Sequence, residues 1–401
     1  MVTSVPHDVP DVLAPARLGP LTLRNRIVKA ATFEGATPDA LVTDRLIEYH
    51  RRPAAGGVGM TTVAYLAVAP EGRTERRQIW MRPEAVPGLR RLADAVHAEG
   101  AAVSAQIGHA GPVANAASNR SPALGPTRRF SPLSMRTTRA ATEADIARIT
   151  EGHGEAAKLA VASGFDAVEI HLGHNYFASA FLSPKLNRRR DRYGGSLANR
   201  AAVARGVARA VRDAVGDRIA VVAKLNMDDG VPGGIWLDES LQLARWLQDD
   251  GTVDALELTA GSSLLNPMYL FRGNAPLRQF AAAFPQPQRL GVRAFGSRFL
   301  IEYPYQEAYL LESARQFRSA LDLPLILLGG IADLATARQA MAEGFDFVAM
   351  GRALLREPDL VNRYTAGTSS TSLCIHCNHC MPTIYSGTRC VLVAPEPAPR
   401  R

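Results

Sequence analysis

Two histidines and a tyrosine, His171, His174 and Tyr176, stand where an apolar run stops, and they are the first residues of this sequence with chemistry to offer. Residues 165–172, FDAVEIHL, alternate large apolar and other side chains, with Val168 and Ile170 β-branched, the pattern of a buried strand. In a parallel α/β sheet the carboxyl edge that follows is where ligands collect. If the chain turns there, a spacing of three residues lets both imidazoles converge on one oxygen, each donating a hydrogen bond. Donors so placed stabilise charge that develops on a carbonyl oxygen as hydride arrives at its β-carbon. Two other uses of the pair stay open: a metal site, for which no carboxylate or third histidine stands nearby to complete the set, and plain structural packing.

The second cluster is sulfur. All four cysteines, Cys374, Cys377, Cys380 and Cys390, lie close together near the end of the chain. That is not the disulfide framework of a secreted fold, and in a reducing compartment it points to a metal or cluster site. Three closely spaced thiolates and a more distant fourth suit a cubane iron–sulfur cluster. Zinc, with His376 and His379 as auxiliary ligands, and bare thiols are the alternatives.

Positioning these groups requires a scaffold, and the chain alternates strand and helix patterns eight times. Strands are expected at 21–31, from Gly56 through 68, and at 101–107, 165–172, 218–227, 253–259, 324–330 and 345–351. Helices are expected at 43–54, around Val86–Val96 up to Gly100, on the face Ile146, Ile149, His153, Ala156 and Ala160, and from an N-cap at Ser196 to Gly216. Further helices are expected at 237–247, 306–321, 334–342 and 354–364. His153, on an apolar helix face, reads as a packed core histidine rather than a catalytic one. With no second Rossmann pattern, the alternation predicts one (β/α)8 barrel over residues 1–366, with a long insertion after the sixth strand at about 262–305. Residues 367–401 form a Cys-containing tail ending in a Pro- and Arg-containing stretch expected to be mobile. A barrel typically builds a phosphate site after its last two strands. There Gly329, Gly330 and Gly351 offer bare backbone N–H groups, and the Arg352 guanidinium can fork onto phosphate oxygens.

Composition narrows the classes. At 47% hydrophobic and 21% charged residues, the 401-residue chain can bury a sizeable core. Its 46 Lys and Arg against 38 Asp and Glu give a net charge of +8. Only the short Arg188–Arg190 and Arg128–Arg129 clusters are concentrated, so no nucleic-acid partner is expected; the sign does suit anionic cofactors. No stretch approaches the roughly 20 apolar residues of a membrane span, and the first residues lack an apolar signal core, so a cytoplasmic location is expected.

The stretch 168–200 carries VEIHxxHxYxxxxFLSPxxNxRxDxYGGSxxNR and resembles the signature of the Old Yellow Enzyme family of flavin-dependent ene-reductases, also labelled NADH:flavin oxidoreductases. The resemblance covers roughly residues 12–366. It implies bound FMN, NAD(P)H as reductant, a ping-pong cycle reducing an activated, enone-like alkene, and an assembly of identical chains. Position by position, Ala30, Ala31 and Thr32 match the loop packed on the flavin ring, and Gln106 matches the glutamine that reads the pyrimidine edge. Lys224 stands where the family has a cation facing N1 and C2=O. His171, also a flavin contact, polarises the acceptor together with His174, and Tyr176 matches the proton donor to the α-carbon. Asn187, Arg189, Asp191, Tyr193, Asn199 and Arg200 read as a structural brace.

The cysteine run resembles the [4Fe-4S] ligands of 2,4-dienoyl-CoA reductase and trimethylamine dehydrogenase, where a further FAD- and dinucleotide-binding portion feeds electrons through the cluster. No such portion occurs in these 401 residues. The resemblance therefore also admits a dehydrogenase running in the oxidative direction, or an electron-transfer module serving a carrier protein. Departures from the family pattern are Asn175 for the usual Gly, Phe177 for Leu, Phe33 where relatives often carry Cys or Thr, and Pro112 for the Arg after HAG.

Overall fold

The computed structural model describes residues 9–393 apart from 132–133, 285 and 287. Eight parallel strands close into a barrel in chain order. They are β1 (Ile27–Lys29), β2 (Met60–Ala67), β3 (Ala102–Gly108), β4 (Ala167–Leu172), β5 (Ala220–Asn226), β6 (Ala255–Thr259), β7 (Leu325–Leu328) and β8 (Phe347–Met350). The principal outer helices are α1 (Asp44–Ala55), α2 (Val86–His97), α3 (Glu143–Ala162), α4 (Leu197–Val215), α5 (Leu237–Asp249), α6 (Leu311–Arg318) and α7 (Leu334–Ala342). Four start where a side-chain oxygen accepts a backbone N–H of the first turn: Thr43, Thr142 in a capping box with Asp145, Ser196 and Asp333.

Alternation along each strand decides what faces inward. Val28, Met60, Ala167, Val222, Ala255, Ile326, Phe347 and Ala349 form an apolar cluster inside the barrel. The residues between them, such as Ile27, Val168 and Leu256, join the larger core beneath the helices. The same parity turns Gln106, Glu169, His171, Lys224, Glu257 and Thr259 inward toward the carboxyl mouth. The expected brace is present: Asn187 Nδ2 donates to the Phe181 and Tyr193 carbonyls at 2.7 Å each, and Arg189 ties Asp191 to the Pro126 and Ala141 carbonyls.

The structure differs from the sequence reading in several places. The strand expected at 21–31 divides, because Asn25 Oδ1 accepts from Ile27 N while Arg24 reaches the Ala54, Val58 and Glu99 carbonyls, and this polar pair bends the chain. Leu21–Leu23 pairs antiparallel with Ala16–Leu18, and only Ile27–Lys29 enters the barrel. The 111–141 loop carries a small three-stranded sheet, Leu124–Gly125, Arg129–Ser131 and Arg136–Ala140. The insertion holds short helices Pro267–Phe271, Leu277–Ala282 and Gln288–Phe295. Its Met268, Phe280 and Leu300 cluster with Met381 of the tail.

That tail folds back on the barrel mouth: Thr388 N donates to the Glu34 carbonyl at 2.8 Å and Ser372 N to the Ala332 carbonyl at 2.8 Å. Gly35 makes room for it, since a Cβ there would lie 2.0 Å from the Ile384 carbonyl oxygen. The Pro- and Arg-containing end, 394–401, lies outside the described residues. Among the described residues no helix is long and apolar enough to cross a membrane.

His153 is packed as expected, its Nδ1 2.7 Å from the Ile149 carbonyl oxygen. Burial lowers its pKa to about 4. A histidine held neutral in the fold but free to protonate when unfolded costs stability as pH falls through that interval. Denaturant unfolding from about pH 7 to about pH 4 should show a His153→Gln variant free of about 3 kcal/mol of the wild-type acid destabilisation; identical slopes would show that His153 is accessible.

Candidate active site

The chain after β4 turns on two residues in the left-handed region, His174 at φ 57° and Asn175 at φ 59°. This turn swings His174 back beside His171, with ring centroids 5.1 Å apart at 85°. Tyr176 then stacks on His171 at 4.2 Å and 19°, and Tyr65 meets Tyr176 edge-on at 5.2 Å. The departure at Asn175 thereby has a physical reason: Asn is the side chain that best replaces Gly at positive φ. It is also bolted down, donating to Asp229 Oδ1 at 3.0 Å and accepting from the Ser262 hydroxyl. Asn226 completes the support by accepting from His174 N at 3.2 Å and donating to Asp229 and to the Gly261 carbonyl.

Both imidazoles are buried and neutral. Burial, then His174 and Lys224, hold His171 well below the usual histidine range, and burial followed by Lys224 lowers His174 to about 3. Gly173 N donates to His171 Nδ1 at 3.2 Å, so Nε2 carries the proton. His174 Nε2 lies 3.0 Å from Thr259 Oγ1; with the hydroxyl donating, Nδ1 becomes the N–H end of that ring. Two neutral N–H donors and a phenol therefore share one wall.

Below them lies a polar floor. Lys224 Nζ is 2.5 Å from Glu257 Oε1 and 3.4 Å from Glu169 Oε1, and Gln106 Nε2 donates to Glu169 Oε1. Burial opposes the Lys224 charge, but the two carboxylates outweigh it, so its pKa is raised. Lys224 and Gln106, with His171, His174 and Tyr176, line one cavity of about 530 Å³, together with Ala30, Ala31, Thr32, Gly329, Gly330, Gly351 and Arg352.

At the far end the expectations are met in part. Gly329 and Gly330 have φ of 100° and 78°, and a Cβ on Gly330 would sit 2.7 Å from the Gln306 carbonyl oxygen. The pair therefore admits the 306–310 segment as well as bordering the cavity. Gly351 has open space where a Cβ would stand. Arg352 Nη1 donates to the Arg272 carbonyl at 2.8 Å and to Asn378 Oδ1 at 2.5 Å, which ties part of its guanidinium to the insertion and the tail. A buried cation, an amide, an open glycine at a strand end and an arginine along one elongated cavity fit FMN.

The cysteines sit beside this cavity. Cys374, Cys377, Cys380 and Cys390 are unpaired and half-buried, and Cys380 lines the cavity. Burial pushes the Cys380 thiol up to about 11. Among the described residues no three His, Cys, Asp or Glu side chains are grouped to hold a metal ion. The two histidines offered as auxiliary ligands are engaged elsewhere: His376 stacks on Tyr305 at 3.3 Å, and His379 Nε2 is 3.3 Å from Gln279 Nε2. The four thiols nevertheless stand near enough to act on one another, Cys374, Cys377 and Cys390 each adding to the upward push on Cys380.

Sequence reasoning missed Glu169, Glu257, Thr259, Asn226, Asp229 and Ser262. The signal for the first three was available. Each is a polar residue at an inward position of an otherwise apolar strand, two residues from another inward residue.

An eightfold barrel with this mouth defines an oxidoreductase that binds a flavin. Residues 11–262 match the model of the NADH:flavin oxidoreductase / NADH oxidase family, and the chain belongs to that family, the Old Yellow Enzyme family. It is 56% identical over 383 residues to the 4,4'-dithiodibutanoate disulfide reductase of Rhodococcus erythropolis, covering 96% of this chain and 95% of that one. It is 31% identical over 374 residues to the multifunctional alkene reductase/demethylase OYE of Caballeronia cordobensis, covering 92% of this chain but 51% of the relative. A solved 2-naphthoyl-CoA reductase complex superposes with a TM-score of 0.81 at 25% identity, over 95% of this chain and 56% of that one. The chain thus spans nearly all of the first relative and about half of the other two.

Thr259 Oγ1 is the partner of His174 Nε2 and holds that ring in place, so Thr259→Val should weaken binding of a carbonyl or phenolic ligand about tenfold while Thr259→Ser restores it. Ligand titration followed by flavin absorbance measures this; equal affinities for all three proteins would contradict it.

Proposed function

We propose that this NAD(P)H-dependent flavin oxidoreductase reduces an activated alkene, an α,β-unsaturated carbonyl compound. The carrying observation is the wall of His171 Nε2–H, the His174 N–H end and Tyr176, three uncharged donors in one cavity. When bound, FMN supplies two-electron transfer between NAD(P)H and the acceptor. The protein's own part is to place and polarise that acceptor. His171 and His174 hold its carbonyl oxygen and strengthen their hydrogen bonds as charge moves onto it. Because neither ring is charged, neither gives up a proton. Tyr176 delivers the proton to the α-carbon. The sum is NAD(P)H, a proton and the enone giving NAD(P)⁺ and the saturated ketone. Lys224, Gln106, Gly351 and Arg352 would hold the cofactor in this cavity, Lys224 supplying a positive charge for the ring as it is reduced.

A second reading, disulfide reduction, is favoured by the Rhodococcus relative, whose name states that activity and whose length this chain spans. The balance is parallel: NAD(P)H, a proton and one disulfide give NAD(P)⁺ and two thiols, with Tyr176 protonating the departing thiolate. Iron–sulfur ligation by the four cysteines rests on their spacing and the resemblance, the oxidative direction, the carrier protein and the homo-oligomer on the resemblance, and the cytoplasmic location on the sequence reading. No step of the proposal uses them.

Tyr176→Phe should leave reduction of the flavin by NAD(P)H intact and slow reoxidation by an enone at least about 100-fold. Stopped-flow measurement of the two half-reactions, with an enone and with 4,4'-dithiodibutanoate, separates the readings. Turnover of the disulfide alone would overturn the alkene proposal, and an unimpaired Tyr176→Phe variant would remove the phenol from both.

A further inference from the structure

The floor of the cavity holds one more acid than the reaction uses. Glu257 is 0% exposed, Glu169 2% and Lys224 3%, so two carboxylates share a single ammonium in a space closed to solvent. Fully ionised, the trio carries one net negative charge. Glu169 has a second donor in Gln106. Glu257 has no such second donor: its carboxyl meets only Lys224, 2.5 Å from Oε1, and the neighbouring Glu169 carboxyl. Two ionised carboxylates side by side on one ammonium in such a place are costly, and a proton on one of them relieves the repulsion.

Among the described residues no second cation on an inward position neighbours Glu257. The inward groups nearest in register are Ser104 and Gln106 on β3, Thr62 on β2 and Ile326 on β7, and none of them titrates. On β4 and β5 the titrating neighbours are Glu169 and Lys224 themselves, with His171 and His174 above them held neutral. Lys29, within electrostatic range of Lys224, lies on the outward face of β1 and acts chiefly with Glu34.

We propose that Glu257 stores one proton in the barrel core, so that Lys224 meets the cofactor balanced by one carboxylate rather than two. Glu257 is then a positioning residue: it touches no substrate and works by leaving the Lys224 charge available to the flavin edge that becomes negative on reduction. This rests on the reading of the cavity as an FMN site. Burial first, then the Glu169 charge, raise the Glu257 pKa, which agrees with the geometry.

The proton on Glu257 is testable without cofactor. An unfolded glutamate ionises in the ordinary carboxylate range, whereas Glu257 keeps its proton in the fold, so the folded state binds the extra proton and stability declines as pH rises. Urea unfolding of apo-protein from about pH 5 to about pH 9 should show Glu257→Gln, which imitates the protonated acid, gaining on wild type as pH rises. Parallel curves would overturn the proposal. Should the variant not fold, infrared spectra of the wild-type apo-protein decide: a buried carboxylic-acid band that fades on alkalinisation supports the stored proton, and its absence at acidic to neutral pH refutes it.

The link to the cofactor is tested in the loaded protein. The flavin midpoint potential of Glu257→Gln should match wild type at low pH and lie above it at high pH, where wild type has lost the proton and gained a negative charge. Equal potentials throughout would show that the proton does not act on the flavin. Failure of both proteins to take up FMN would sink the cofactor reading while leaving the apo-protein result intact.

Discussion

One ammonium, enclosed in the barrel between the Glu169 and Glu257 carboxyl groups, sets the terms for everything at the mouth. Lys224 cannot be removed from its partners cheaply, since breaking a buried ion pair leaves an uncompensated charge at a cost of about 3–5 kcal/mol. Its charge helps hold His171 and His174 neutral, which makes both rings hydrogen-bond donors rather than acids. Its partner Glu169 commits the Gln106 amide, so the amide's orientation is fixed by the same carboxylate. Strand parity places all of these groups on the inner face, and the closed barrel keeps water from screening them.

Above that floor, the reacting wall depends on backbone conformation. Two consecutive non-glycine residues at positive φ are an unfavourable local choice. They persist because Asn226 at the end of β5, with Asp229 and Ser262 from the loops after β5 and β6, holds Asn175 and His174 from both sides. The geometry of the His171, His174 and Tyr176 wall therefore belongs to three strands, although its residues come from one short stretch of sequence.

The sequence made the barrel legible because its strands are buried apolar runs at regular intervals, and the cavity residues legible because they follow those runs. Less visible was anything that depends on contacts distant along the chain. The hairpin at 16–23 reads like barrel strand until Asn25 and Arg24 find their partners. Glu257 looks like an ordinary polar residue in ALELT until β5 places Lys224 against it. The insertion and the tail were seen as separate appendages, yet Arg352 and Asn378 join them, Tyr305 stacks on His376, and Met381 enters the insertion's apolar cluster. Together they wall the cavity with Phe271, Phe280, Phe284, Phe299 and Met381, side chains that family resemblance does not reach.

The most direct measurement is a crystal structure of the protein soaked or co-crystallised with FMN. The account predicts the pyrimidine edge of the ring within hydrogen-bond distance of Lys224 Nζ and Gln106, the phosphate against Gly351 and Arg352, and His171, His174 and Tyr176 over an open face of the ring. An FMN seated elsewhere, or Lys224 turned wholly away into its two carboxylates, would contradict it.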